Sequence, residues 1–276
     1  MGSASGNEAM FLNPAAIAAR KRYTADTVYL TDRRPELTND LRRQDYLAFT
    51  VADSATTAVA AGLSYVRVLQ GLDTGNLVRL ALAAQVGSGL SLGVQGNYFD
   101  LQGGQPVASQ LNMDGGLFWQ VTKMVSIGAA AYNFFYTKNR EVLPRGYGAG
   151  FAVGSETSLQ VVGDWHLDLD RVKDANGDSK ASNRYTVGAE YLVANAMPIR
   201  AGFGVDDIAG FMCPAVATPS SKELCNSSVT ANTRWWSVGL GFVSTRFALD
   251  AGFRQSTTDP SARTFAVAAR LFVPNE

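Results

Sequence analysis

The chain has 276 residues, with 24 Lys plus Arg against 24 Asp plus Glu, so its formal net charge is zero. That balance exerts no long-range pull on nucleic acid or on an anionic membrane surface. Charged residues are 17% of the chain, below the roughly 25% of soluble domains, yet no run approaches the ~18 apolar residues of a transmembrane helix. A soluble all-β protein or a membrane β-barrel remains.

The chain opens "MGSASGNEAM", which lacks the apolar core of a secretory leader. For an exported protein this implies a leader already removed. "NPAAIAARKR" then reads as a short helix, with Asn13 as N-cap and Pro14 at the first helical position. From about Arg22 onward the dominant signal is alternation with period two. Such segments begin near Arg22, Asp45, Thr57, Leu77, Leu90, Ala108, Val125, Arg145, Thr157, Asn183, Pro198, Thr233, Arg246 and Arg263, the first and seventh being the least regular. Each is near the ~10 residues that a tilted membrane strand needs. "VRLALAAQ" sets Arg79 and Gln85 opposite Val78, Leu80 and Leu82. "YTVGAEYLV" sets Thr186, Gly188, Glu190 and Leu192 opposite Tyr185, Val187, Ala189, Tyr191 and Val193. "IRAGFGVD" and "FALDAGFR" place Arg200, Asp250 and Arg254 on the polar face.

The connections separate sandwich from barrel. Long ones such as "TDRRPELTNDLRRQ", "TKNREVLPR" and "DRVKDANGDSKAS" alternate with short ones such as "ADSAT", "GSG", "TKM" and "ANAM". Long extracellular loops alternating with short periplasmic turns are the habit of outer-membrane barrels. Outward aromatics also fall in two sets. Tyr98, Tyr147, Tyr185, Trp236 and Phe253 lie toward the long loops, and Trp119, Phe242 and Phe247 toward the short turns. Amphipathic rings gain most at those two interfaces. The predicted fold is therefore all-β: a transmembrane antiparallel β-barrel of about fourteen strands over residues 22–276, preceded by a periplasmic or lumenal segment, 1–21.

Two stretches carry a resemblance. "GNEAMFLNPAAIA" contains an Asn-Pro-Ala motif, Asn13, Pro14 and Ala15, just before the first strand. "YTVGAEYLVANAMPIRAGFGVDD" turns a Gly-x-Glu-Tyr strand into a Pro-x-Arg-Ala-Gly strand. Both resemble the FadL-type long-chain fatty-acid transporters and their PorV-type relatives in secretion machinery. The resemblance implies a fourteen-stranded barrel in a bacterial outer membrane, with the N-terminal segment tucked inside as a plug. The chain is short for a fatty-acid transporter, and Phe272 is followed by "VPNE" where such barrels commonly end on an aromatic.

The candidate residues follow from facing. In "LQVVGDWHLDLD" the polar positions Asp164, His166 and Asp168 point inward and Trp165 outward. With Glu190, Arg200, Asp250 and Arg254 they form a polar ladder in the lumen. Arg79, Arg200, Arg254 and Arg270 are the partners expected for its acids. A single histidine among carboxylates is a poor zinc set, so no metal is expected, and no cofactor. Nor does a His-Glu-x-x-His or phosphate-loop pattern occur, which argues against an enzyme. "DANGDSK" spaces Asp174, Asn176 and Asp178 like a calcium loop, but Ser179 stands where Gly is wanted, and a polar turn is the plainer reading. Cys213 and Cys225 sit close together in a polar segment and read as a disulfide. Inward glycines (Gly146, Gly148, Gly150, Gly188, Gly202, Gly204, Gly239 and Gly241) serve either barrel packing or room in the lumen. Phe99, Phe118, Phe134 and Leu192 are expected to form an apolar patch facing a ligand.

Two functions stay open on the sequence. One is passive uptake of hydrophobic, fatty-acid-like small molecules, as the resemblance implies. The alternative is a docking or structural barrel in a secretion or motility complex, binding proteins at its loops or periplasmic rim. Membrane lipid is a partner in either case, and nucleic acid in neither.

Overall fold

The computed structural model describes residues 1–2, 7–35, 41–70, 73–103, 110–135, 144–155, 157–173, 179–208 and 231–273. After a one-turn helix α1 (Ala9–Leu12) and a 3-10 helix (Pro14–Ala19) come fourteen strands. They are β1 (Tyr23–Pro35), β2 (Leu41–Asp53), β3 (Val59–Gln70), β4 (Asp73–Gln85), β5 (Leu90–Gly103), β6 (Gln110–Thr122) and β7 (Val125–Tyr132). β8 (Gly146–Gly154), β9 (Leu159–Lys173), β10 (Ser179–Val193), β11 (Met197–Ile208), β12 (Ala231–Val243), β13 (Phe247–Ser256) and β14 (Arg263–Val273) follow. Each strand pairs antiparallel with its sequence neighbour, and β1 pairs with β14 from Tyr23↔Val273 to Arg33↔Arg263, which closes the barrel. Closure leaves no unpaired edge, the condition for crossing lipid with strands. All fourteen predicted segments are strands, each starting within a few residues of its expected place.

Facing follows the alternation. In β4, Leu80 and Leu82 are exposed on the outer wall, while Leu77, Ala81 and Ala83 are buried inside. Around the whole barrel the outward strand positions carry large exposed apolar side chains, from Phe49 and Leu63 to Leu240 and Leu271. A band of that kind would be an aggregation surface in water and is the lipid face of a membrane barrel. Trp236 stacks near Phe253, ring centres 5.5 Å apart, and Phe242 near Phe247 at 5.8 Å, one pair nearer the long connections and one nearer the short ones.

The short turns use local chemistry. Between β10 and β11, Ala194 (φ 50°) and Asn195 (φ 56°) are both left-handed and Ala196 N–H donates to Val193 O at 3.0 Å. This is the type I′ hairpin turn, whose twist matches that of the strands it joins. Asp53 caps the β2–β3 turn by accepting from Ala55 N–H (2.9 Å) and Thr56 N–H (3.0 Å).

Candidate functional site in the plugged lumen

The N-terminal segment lies inside the barrel. Asn13 is the N-cap of the 3-10 helix: its Oδ1 accepts from Ala15 N–H at 3.1 Å, and Pro14 occupies the first position. The Asn13 Nδ2 donates to Leu117 O of β6 at 2.9 Å. One side chain thus starts the helix and fastens it to the wall. Ala9, Met10, Ala15, Ala16, Ile17 and Ala18 pack with Ala52, Ala60, Ala81, Ala83 and Phe118 of the wall as one buried cluster. Small residues on both sides explain how a helix fits so close. At Gly93 a Cβ would meet the backbone of Pro14 and Ala15 within 2.7 Å, and at Gly116 it would collide with Asn13 Oδ1. These two glycines, which the sequence reading did not single out, form the seat of the plug.

Polar bonds complete the fastening. Arg79, inward on β4, donates to Met10 O at 2.9 Å and lies 4.8 Å from the centre of the Phe11 ring. Asn7 donates to Thr50 O (3.2 Å) and accepts from Thr24 Oγ1 (2.6 Å). Glu8 pairs with Arg270 Nη2 at 2.9 Å, and the Tyr132 hydroxyl donates to Leu12 O. A separate buried network joins Gln95, Asn97 and Asp114, with Asn97 Nδ2 to Asp114 Oδ2 at 2.7 Å. Buried polar groups need such partners.

The ladder residues all point inward, but they form two groups. On β9, His166 bonds Asp168 at 2.8 Å and stacks near Tyr132, ring centres 5.0 Å apart. Arg145 clamps Asp170 through Nε at 2.6 Å and Nη2 at 3.1 Å, and Arg184, opposite His166, pairs with Asp206 at 2.8 Å. Asp164 contacts the Met1 amino group. The second group starts on the neighbouring strand β10 and continues round the wall through β14 to β1. Glu190 and Arg200 are direct strand partners, and Arg200 also reaches over β12 to Asp250 on β13. It can do so because Gly239 and Gly241 stand between them. A Cβ at Gly239 would lie 3.4 Å from Arg200 Cβ, and one at Gly241 would strike Asp250 Oδ1. Arg270 holds both oxygens of Asp26, at 3.0 and 2.9 Å. Arg254 faces Asp32 at 3.7 Å, donates to Thr264 Oγ1 at 2.9 Å and lies over Trp235 at 5.3 Å. Of the arginines expected to serve the ladder's acids, Arg200 does so, on Glu190 and Asp250, while Arg79 holds the plug, Arg254 faces Asp32 and Arg270 pairs with Asp26 and Glu8. Arg145, Arg184, Asp26, Asp32 and Glu8 were not among the candidates.

The four candidate ligand-facing residues do not share a patch. Phe118 is buried beneath the plug. Phe99 packs higher, against the cluster of Ala48, Val66 and Leu77. Leu192 is inward, opposite Pro198 at the short-turn end. Phe134 corrects the expected facing: it is 54% exposed and lies over Gly115, whose missing side chain would point outward. Asn133 before it has φ 53°, and that left-handed residue breaks the alternation. Cys213 and Cys225 lie outside the described residues, as does the Asp174–Asp178 stretch.

Above the plug is a cavity of about 770 Å³, within the ~300–1,000 Å³ of small-ligand sites. Asn7, Glu8 and Phe11 border it from the plug, and Val28, Leu30, Ala48 and Val66 make one apolar wall. The adjoining wall, continuous with it through the β1–β14 pairing, carries Arg200, Asp250, Arg254 and Arg270. At the level of Gly239, the inward residues of β13 and β14 are Gly252 and Ala266, so that row of the wall is little more than backbone. A smaller cavity of about 230 Å³, lined in part by Arg20, Gln120, Lys123 and Gln160, lies at the short-turn end.

No protein-family profile matches the chain, and no curated protein matches it in sequence. Solved structures do match in fold. A Pseudomonas aeruginosa FadL homologue superposes with a TM-score of 0.62 at 12% identity, over 99% of this chain and 95% of the other. The CymD monoaromatic hydrocarbon channel gives 0.60 at 14% identity, over 97% and 92%. The Ralstonia pickettii toluene transporter TbuX gives the same four values. At that identity the likeness speaks for architecture, which it covers end to end: the chain has the fold of the FadL-type barrels, with fourteen strands closed around an N-terminal plug.

Proposed function

We propose that this protein is an outer-membrane conduit for the passive entry of hydrophobic small molecules. The observation that carries the reading is the cavity above the plug, with an apolar wall of Val28, Leu30, Ala48 and Val66 and the Phe11 ring at its floor. An apolar molecule entering it gains about 25 cal/mol for each Å² it buries. On this reading the plug, packed against β3–β6 in the lumen below, bars polar solutes from a straight water path. The neighbours named for a monoaromatic hydrocarbon and for toluene support a hydrophobic cargo for this architecture. A cargo would leave when the plug shifts, toward the periplasm or sideways where β12–β14 are thinnest. Fatty-acid-like cargo, implied by the sequence resemblance, is one end of this range.

The test is native purification followed by mass spectrometry of the folded protein, which should recover a hydrophobic molecule held by the barrel. A ligand-free barrel that co-purifies with a stoichiometric protein would support the docking alternative instead. The Cys213–Cys225 bridge belongs to the same reading, since an exported chain folds in an oxidising compartment. Both thiols should resist labelling until reduced, and full labelling of the oxidised native protein would remove the bridge.

A further inference from the structure

The charges around the main cavity are unequal. Among the described residues that line it, three guanidinium groups, Arg200, Arg254 and Arg270, face four carboxylates, Glu8, Asp26, Asp32 and Asp250, and Arg200 pairs in addition with Glu190. Two of the arginines are each held between two acids. Arg200 bonds Glu190 through Nε and Asp250 through Nη1. Arg270 bonds Asp26 through Nε and Glu8 through Nη2. Arg254 is occupied by Asp32, by Thr264 Oγ1 and by the Trp235 ring. An incoming carboxylate would therefore find no guanidinium waiting for it. To take one, it must expel a wall acid, and Asp26 and Asp32 are less than a tenth exposed. The expelled acid would stay in the cavity as an unpaired charge, which is costly in a partly dehydrated site. An uncharged molecule meets the same apolar wall and disturbs none of these pairs.

Resting on the conduit reading above, we propose that the cavity selects uncharged hydrophobic ligands and rejects fatty-acid anions. The selectivity comes from the wall's surplus of carboxylates, with Glu8 on the plug and Asp32 on β1 as its main determinants. Arg254 and Arg270 would each be left with fewer acids if those two were neutralised, and a carboxylate could then be received.

The test uses two probes of equal chain length, decanol and decanoate, at pH 8, where decanoate is ionised. The full-length protein sits in lipid nanodiscs, with empty nanodiscs subtracted. Each probe competes against a bound neutral fluorophore, N-phenyl-1-naphthylamine. Wild type should bind decanoate at least tenfold more weakly than decanol. Glu8→Gln combined with Asp32→Asn should narrow the ratio between decanol and decanoate affinity severalfold, and an unchanged ratio would overturn the proposal. Glu8→Gln alone changes only the plug and should move in the same direction if the double variant does not fold. Decanoate binding as tightly as decanol to wild type would overturn the proposal while leaving the conduit reading intact. Binding of neither probe would remove both.

Discussion

Arg79 and Leu80 are neighbours in sequence and face different media. Leu80 is 56% exposed on the outer wall, whereas Arg79 points inward and holds the plug through Met10 O. Charge on the lipid face costs ~2–4 kcal/mol for Arg or Lys at the bilayer midplane. Leu80→Arg should therefore lower the stability of refolding into vesicles by about that much, and an unchanged value would mean that the strand faces the other way. Ala194 is a different case. At φ 50° it adopts a conformation that disfavours a side chain. Ala194→Gly should stabilise the barrel by about 0.5–1 kcal/mol in the same refolding assay, and a destabilised variant would contradict the turn described. At Gly116 the constraint is space, because any side chain strikes Asn13 Oδ1. Gly116→Val should leave a heat-modifiable barrel band on a gel but expose the N-terminal segment to protease, and equal protection would contradict the seat.

At the scale of elements, the strands were legible in sequence because two media act on every residue of a membrane strand. Lipid on one side and a polar lumen on the other impose period two, so Trp165 out and His166 in could be read directly. Strand ends were less legible. β10 begins at Ser179 although the alternation becomes clear only near Asn183, since the hairpin extends beyond the bilayer, where neither face must be apolar. Phe134 was misplaced because alternation cannot foresee the left-handed Asn133. The plug's start was legible from Asn13 and Pro14, a cap and a first-turn residue. Its seat was not, because Gly93 and Gly116 are conspicuous only once the plug backbone lies on them. The charge partners were hidden for another reason. Asp26 meets Arg270 and Asp32 meets Arg254 only after β1 closes on β14, and Arg200 reaches Asp250 only across two glycines of an intervening strand. The connection between β13 and β14 gives a pH test. Asp259 is held below the usual carboxylate range, chiefly by the Ser261 hydroxyl and then by Ser261 N–H, which donates to Oδ1 at 2.9 Å. A carboxyl depressed in the folded state stabilises its loop above the unfolded pKa of about 3.9, and the contribution is lost as pH falls through the lower folded value. The Asp259 carboxyl should titrate below its unfolded value by carbon NMR, and a midpoint at or above that value would contradict the capped loop.

At the scale of the whole molecule, the parts agree on one use. On the proposed conduit reading, the outer band holds the barrel in lipid, the plug bars polar solutes from the lumen, and the cavity above the plug offers an apolar wall to a small guest. Deleting residues 1–19 should convert the closed barrel into one that conducts ions, because Phe118 and the small residues around it would then face an open lumen. A plugged barrel with an apolar cavity should pass hydrophobes while refusing polar solutes, and one assay measures both. Vesicles with a lipopolysaccharide outer leaflet, with and without the intact protein, are given N-phenyl-1-naphthylamine outside and a self-quenched polar dye inside. The account predicts that the protein speeds arrival of the hydrophobe in the inner leaflet while the polar dye stays trapped. Entry of the hydrophobe no faster than in protein-free vesicles, or entry accompanied by dye release, would contradict it.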